Sequence, residues 1–499
     1  QTTGILQSDI AWDAIVLDDG EIVVVGESVM PGVPFISGQG TLARYAPDGA
    51  LEMVHAYTRA PGGCGSPPAP FHSVLAEPDG HLVAGGYAPW NCGSGTEFWV
   101  VRIRTTDFVA VNSFEAPDFY GIQAQASALA RQPDGKIVSA GYAGATIDSA
   151  SRDVAVARHN PDGTLDDTFG TNGEVLIDVA GDDDRAYAVA LQPDGKVVLA
   201  GYTYDGSQYD WLFLRLEADG APDPSFGTDG VVVMDFDGLN DFALDCVLQP
   251  DGKILAAGVG SGNGATSSFA LVRLQADGSL DSSFGAGGIA TVDFTGLSAR
   301  ASALLLQPDG KIVAAGRTET GAGGDDTLDF AIARLNPDGT LDTAFGSGGR
   351  QTADIGGPRD TGRGLAIAPD GDLVVVGSAQ EDVDGDLHSD FALARFIGDT
   401  APVGNEPGSG LPSGFALHAA YPNPFTPSTT LRYEVPSSGR VRLAVYDALG
   451  REVAMLLDGR VAAGRHEAVF EASRLPSGVY LVRMAADGFQ QTRRVTLLR

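Results

Sequence analysis

Apolar and polar residues alternate along most of the chain in short runs, and no stretch keeps a 3.6-residue apolar period long enough for a helix. The runs are separated by Pro-Asp-Gly and Asp-Gly turns. In such turns proline presets φ, aspartate bonds the following backbone, and glycine accepts the left-handed exit. Between residues 187 and 235 the pattern predicts four strands: Tyr187–Leu191 (a), Lys196–Gly201 (b), Trp211–Leu216 (c) and Val231–Asp235 (d). The phrase Leu-Gln-Pro-Asp-Gly-Lys-Ile-Val-x-Ala-Gly, which spans the a–b turn, is best preserved at 191–201, 248–258 and 306–316. Its turn glycine recurs at Gly20, Gly80, Gly135, Gly195, Gly252, Gly310 and Gly371, at intervals of 55 to 61 residues. A second phrase, Ala-Arg-Leu-Asn-Pro-Asp-Gly-Thr-Leu-Asp-x-x-Phe-Gly, interleaves with it from residues 157 and 333.

Seven units of about 58 residues therefore fill residues 1–398. Four-stranded antiparallel units repeated in this way predict an all-β chain folded as a seven-bladed β-propeller. The last unit stops after its strand c, Phe391–Phe396, whereas the chain begins with Thr3-Gly4-Ile5-Leu6-Gln7-Ser8-Asp9, similar to the strand-d phrase at 173–178. The expectation is that this first segment supplies the missing outer strand and closes the ring.

The phase of the repeats sorts the loops. Uniform a–b and c–d turns share one face. The d–a and b–c loops share the other and vary, as in Glu27–Gly40, Ala143–Arg152, Thr203–Asp210, Thr318–Asp329 and Ala379–Asp390. Variable loops on a uniform scaffold are where binding is expected. Lys136, Lys196, Lys253 and Lys311 all follow the a–b turn and read as solvated strand ends. Residues 399–413, rich in Pro, Gly and Ser, read as a linker. Residues 414–499 return to strands, at Thr430–Val435, Val441–Asp447, Val453–Leu457, His466–Glu471, Val479–Ala485 and Arg493–Leu498, and predict a small Ig-like β-sandwich.

Charge sharpens this division. The chain carries 65 acidic and 32 basic residues for a net charge of −33, which argues against a nucleic-acid partner. Residues 1–410 hold 58 acids against 21 bases, and residues 411–499 hold 7 acids against 11 arginines. No run is apolar for the roughly 18 residues a transmembrane helix needs.

The Gln-Pro-Asp-Gly-Lys and Asn-Pro-Asp-Gly-Thr-Leu-Asp phrases resemble the delta-60 repeats of bacterial surface proteins, which implies a propeller without an assigned enzymatic activity. The tail resembles the C-terminal sorting domain of the type IX secretion system. The matching residues are Tyr421-Pro422-Asn423-Pro424-Phe425, Val445-Tyr446-Asp447, Leu449-Gly450-Arg451-Glu452-Val453, Ala463-Gly464-Arg465-His466 and Leu475-Pro476-Ser477-Gly478-Val479-Tyr480. That resemblance implies outer-membrane secretion machinery as a partner, and an extracellular or outer-membrane-surface location.

An exported location permits disulfides. Cys64 and Cys92 fall in variable-face loops of the second unit and are expected to pair, while Cys246 aligns with Val189 and Leu304 and is expected to be a buried thiol. No His-Glu-x-x-His, Gly-x-Ser-x-Gly, Walker or Cys-x-x-Cys motif is present. Acid runs such as Asp182-Asp183-Asp184 and Asp325-Asp326 offer carboxylates for glycosidase chemistry but read as solvated rim. Trp90, Tyr120, Tyr204 and Tyr209 are candidates to stack on sugar rings. In the loop 382–390, Asp382, Asp384, Asp386 and Asp390 have the spacing of a calcium loop, and calcium is the one cofactor the sequence suggests. Two functional classes result. One is a non-catalytic binding or adhesion propeller that takes a glycan or protein ligand on its variable face. The other is a carbohydrate-active hydrolase or lyase.

Overall fold

The computed structural model describes the chain apart from residues 1, 4–7, 18, 30–38, 58–68, 91–94, 115–116, 118, 120–122, 145–150, 180–182, 237–239, 263–265, 295–297, 321–326, 384–385, 399–414, 422–427, 437, 448–450, 462–463, 473–474, 477, 487–488 and 498–499. The chain divides into two compact units, Gln1–Asp399 and Thr400–Arg499. Among the described residues every regular element is a β-strand.

In the first unit the a strands are Ser8–Val16, Phe71–Ala76, Gln123–Arg131, Arg185–Leu191, Phe242–Leu248, Ala299–Leu306 and Asp360–Ile367. Each begins an antiparallel a-b-c-d ladder. Five of the ladders are separate four-stranded sheets, and the second and third join through a single parallel bridge between Gln123 and Thr96. The a strands touch their neighbours in cyclic order, and the seventh returns to the first. Apolar residues of adjacent ladders interleave to fill the space between them. Trp211 and Phe213, for example, pack with Cys246, Ile254, Ala256 and Val272 of the next ladder. Cys246 is a free, buried thiol, as expected, and burial pushes its pKa up.

The outer strand of the seventh ladder is Thr2–Thr3, paired antiparallel with Ala392 and Phe391. The first segment does supply this strand, but in a different register from the phrase match. Thr3 stands where Ile177 stands in the third ladder, and Ser8 and Asp9 already belong to the first a strand. The physical reason lies in the aspartate. Asp184, Asp241 and Asp360, each three residues before the bulge position of its a strand as Asp9 is, take the N–H of Val179, Phe236 and Ile355 and so tie off the d–a loop. The aspartate that ends the first segment is this one, rather than the aspartate after strand d.

Two details of the repeat phrases acquire a cause. The glycine that ends the a–b phrase sits in strand b with ordinary extended φ. A Cβ on Gly141 or Gly201 would lie 1.8 Å from the carbonyl oxygen of Gln125 or Arg185 in strand a, so only glycine lets the strands come this close. The same approach recurs at Gly26, Gly86, Gly258, Gly316 and Gly377. The second phrase builds a clamp. Arg158, Arg215, Arg273 and Arg334 in strand c give their Nε to Asp166, Asp223, Asp281 and Asp342 at 2.6–2.7 Å. The guanidinium lies 4.5–4.7 Å from the ring centre of Phe169, Phe226, Phe284 or Phe345. Nη1 of Arg158, Arg215 and Arg273 reaches the next ladder, at the carbonyls of Ala218, Ala276 and Pro337. Lys136, Lys196, Lys253 and Lys311 bind the same four carboxylates at 2.8–3.3 Å. The lysines are thus clamp members, a correction to their reading as solvated strand ends.

In the second unit, Ala416–Tyr421, Ser428–Val435 and Gly464–Glu471 form a three-stranded sheet. Glu452–Val461, Gly439–Asp447, Gly478–Ala486 and Phe489–Leu497 form a four-stranded one. Leu431, Tyr433 and Phe470 from the first sheet and Leu443, Val445, Tyr480 and Val482 from the second share one buried core. Every strand expected from residue 430 onward is present, and Ala416–Tyr421 is added.

Candidate functional site

Each of the seven a strands carries a β-bulge at the same point of its ladder with strand b. A bulge leaves one residue unpaired and re-aims its side chain. The residues skipped are Trp12, His72, Ser127, Tyr187, Leu244, Ser302 and Arg363, and all seven line one cavity of about 410 Å³. All seven a strands contribute to its wall. The bulges fall between the second residue and the middle of strand a, and the cavity wall runs on past them to Leu75, Leu129, Val189 and Leu365.

Around the bulge ring, Trp12 is held between His72, edge-on at 4.8 Å, and Arg363, whose guanidinium carbon stands 4.2 Å from its ring centre. Gln125 joins two further groups: its amide nitrogen is 2.8 Å from Nδ1 of His72, and its oxygen accepts the Tyr142 hydroxyl at 2.6 Å. Burial pushes the His72 pKa down to about 4, so the imidazole is neutral at pH 7. Arg185 is bidentate to Asp183, at 3.0 and 2.9 Å, and lies 4.5 Å over Tyr142.

The cavity also holds two carboxyls, Asp13 and Asp245. Asp13 accepts N–H from Ala14 at 2.8 Å and Val74 at 2.9 Å, and Asp245 from Cys246 at 2.8 Å and Leu304 at 2.7 Å. In each, Oδ1 takes the next N–H of its own strand and Oδ2 fastens that strand to the a strand of the next ladder. Burial outweighs these bonds and pushes Asp13 up to about 6 and Asp245 up to about 7.

The residues singled out from sequence lie elsewhere. Cys64, Cys92, Tyr120, Asp325 and Asp326 lie outside the described residues, as do Asp182 and Asp384. Of the calcium loop, the backbone of Asp382 pairs with Leu387, Val383 with Asp386, and Asp390 with Ala379. Strands b and c thus run on to Val383 and Asp386, with an extended ladder where a wrapped loop was expected. Two other acidic groups converge, Asp153 with Asp178 and Asp184, and Asp329 with Asp354 and Asp360, each with carboxylate oxygens within 4.8 Å of one another. Tyr204 and Tyr209 pack on each other at 4.7 Å, and Tyr209 on Tyr202 at 5.0 Å. The backbone of Trp90 pairs with Gly95.

Sequence reasoning missed the bulge ring, although a signal exists. Within strand a the flanking positions are small or repeat closely, while the bulge position runs through Trp, His, Ser, Tyr, Leu, Ser and Arg.

Fold, clamps and tail together define the class: an exported β-propeller protein. Residues 132–169, 192–226, 249–284 and 307–345 match the DUF5122 β-propeller, a domain of unknown function. Residues 419–497 match the C-terminal sorting domain of a secretion system. The chain therefore carries DUF5122 propeller repeats and a type IX sorting domain, which directs export to the cell surface or the extracellular space. No curated protein matches the chain. Among solved structures, a protein of unknown function from Dyadobacter fermentans is similar at 14% identity and TM-score 0.40, over 78% of this chain and 95% of its own. An ulvan lyase of polysaccharide lyase family 25 is similar at 11% identity and TM-score 0.46, over 80% and 96%. The β-propeller domain of the trilobed protease from Pyrococcus furiosus gives 10% and 0.38, over 80% and 98%.

Proposed function

We propose that this exported protein is a non-catalytic binding module, a seven-bladed propeller followed by an Ig-like sorting sandwich, and that its ligand seats in the cavity that the seven a strands line. The observation that carries this reading is the bulge ring. Seven scaffold positions are nearly uniform in backbone and divergent in side chain, and all of them face one cavity of ligand size. The cyclic contacts of the a strands and the pairing of Thr2–Thr3 with the seventh ladder support closure. The enzymatic alternative needs a free acid–base pair, but both oxygens of Asp13 and of Asp245 are engaged by backbone N–H groups.

The test is retention of the full chain on immobilised polysaccharides, with released sugar measured in parallel. We expect retention without release, abolished by Ser302→Trp, which fills the cavity from a bulge position. Released oligosaccharide would establish the enzymatic reading, and retention untouched by Ser302→Trp would place the site elsewhere.

A further inference from the structure

We propose that this cavity binds the oxyanion of an acidic saccharide, a carboxylate or a sulfate, between Arg300 and Arg363. This rests on the reading of the cavity as the binding site and adds the chemistry of its ligand. The first observation is one of charge. Residues 1–410 hold 58 acids against 21 bases, yet three arginines, Arg185, Arg300 and Arg363, line this one cavity.

The second observation concerns partners. Arg185 is neutralised by Asp183, but among the described residues neither Arg300 nor Arg363 forms an ion pair with any carboxylate. Among them the Arg300 guanidinium, which faces the cavity, makes no hydrogen bond, and the Nε of Arg363 is buried without a partner. Arg317, which stands opposite Arg300 on the adjoining strand b, adds a third cation to this pair, and among the described residues its side chain makes a single hydrogen bond, a long one to Thr361 at 3.5 Å. Arg300, Arg317 and His72 repel Arg363 when charged, and Glu27 on strand b of the first ladder attracts it without pairing. The Asp13 and Asp245 carboxyls, both held by backbone N–H groups, share the cavity wall with it.

A cavity-facing charge without a counter-ion and a buried N–H without an acceptor are both costly, and a planar or tetrahedral oxyanion satisfies them in bidentate fashion. The rest of the wall suits a sugar. The Tyr187 ring offers a stacking face, while Ser127, Ser302 and Gln125 offer hydroxyl and amide groups.

The test is calorimetry on the full chain with three probes: digalacturonic acid, a sulfated disaccharide and neutral cellobiose. Either acidic probe should bind at least tenfold more tightly than cellobiose, and the preferred one identifies the oxyanion. Arg300→Gln should weaken that probe at least tenfold, and Arg300→Lys should restore part of the loss. Arg363 packs on Trp12, so Arg363→Gln serves as a second variant once its melting temperature matches the parent. Cellobiose binding as tightly as the acids, unchanged by Arg300→Gln but lost with Ser302→Trp, would overturn the oxyanion and leave the cavity reading standing. No binding of any probe at millimolar concentration, or acid binding indifferent to both arginines, would also overturn it.

Discussion

Two sets of arginines occupy the same propeller. On the face of the uniform turns, Arg158, Arg215, Arg273 and Arg334 each meet a buried aspartate, a lysine and a phenylalanine ring. In the cavity, Arg300 and Arg363 meet aromatic side chains and each other's field, with no carboxylate paired to either among the described residues. In the clamps, burial works against the carboxylate, yet hydrogen bonds from lysine, Ser or Thr and arginine hold Asp166, Asp223 and Asp281 well below the usual range. In the cavity burial wins, raising Asp13 and Asp245 and lowering Arg363 to about 10. The contrast separates scaffold from site. Charges that hold the fold are neutralised in place, and those that remain open face a cavity.

The largest effect expected is on the scaffold side. Asp223→Ala strands Arg215 at a buried position, although Lys196 keeps Glu217 at 2.9 Å, and losing one partner of a buried pair costs about 3–5 kcal/mol. Urea denaturation should show that loss, and a change under about 1 kcal/mol would break the comparison.

The next expectation is a pH profile with two limbs. The clamp aspartates have folded pKa values below their unfolded ones, so their stabilisation is present above about pH 4 and is lost as pH falls further. Asp13 and Asp245 are raised, to about 6 and about 7, so their contribution is full below about pH 4 and is lost as pH rises through those values. Melting temperature should therefore peak at about pH 4 and fall toward neutrality. Asp245→Asn should flatten the alkaline limb alone, and a profile that stays flat from pH 5 to 8 would refute the assignment.

The smallest effect belongs to the cavity. Arg300 makes no hydrogen bond or ion pair among the described residues, and burial and Arg317 both work against its charge, so Arg300→Gln should leave the melting temperature unchanged or raise it slightly. A loss of several kcal/mol would make this arginine a scaffold residue.

The repeats made the architecture legible, because a Pro-Asp-Gly turn fixes backbone dihedrals through local chemistry alone. Strands a to d of the fourth ladder fall where the alternation put them, within about two or three residues at each end. The site was not legible in the same way. A bulge is a shift of register between two strands, and alternation within one strand does not display it. His72 accordingly carries no local signal of its place in the cavity. The lysines failed for a related reason: Lys196 meets Asp223 across 27 residues, a contact no local pattern encodes. Thr2–Thr3 was recognised in kind but misregistered, because the similarity of Gly4-Ile5-Leu6 to a strand-d phrase outweighed the place of Asp9 at the head of a strand a.

That closing strand sets an order of events. Thr2 pairs with Ala392, so the pairing closes a loop of roughly 390 residues, at a chain-entropy cost on the order of 5 kcal/mol. Two ladder positions, at about 1 kcal/mol per hydrogen bond, cannot meet that cost unaided. The latch from Arg395 to the carbonyl of Pro47, at 2.7 Å, and the contact of the first a strand with the seventh must bring the ends together beforehand. Closure is then a late step in folding, and its reversal an early one in unfolding. Amide exchange should find the Thr2–Thr3 strand opening at a free energy far below that of the rest of the ring.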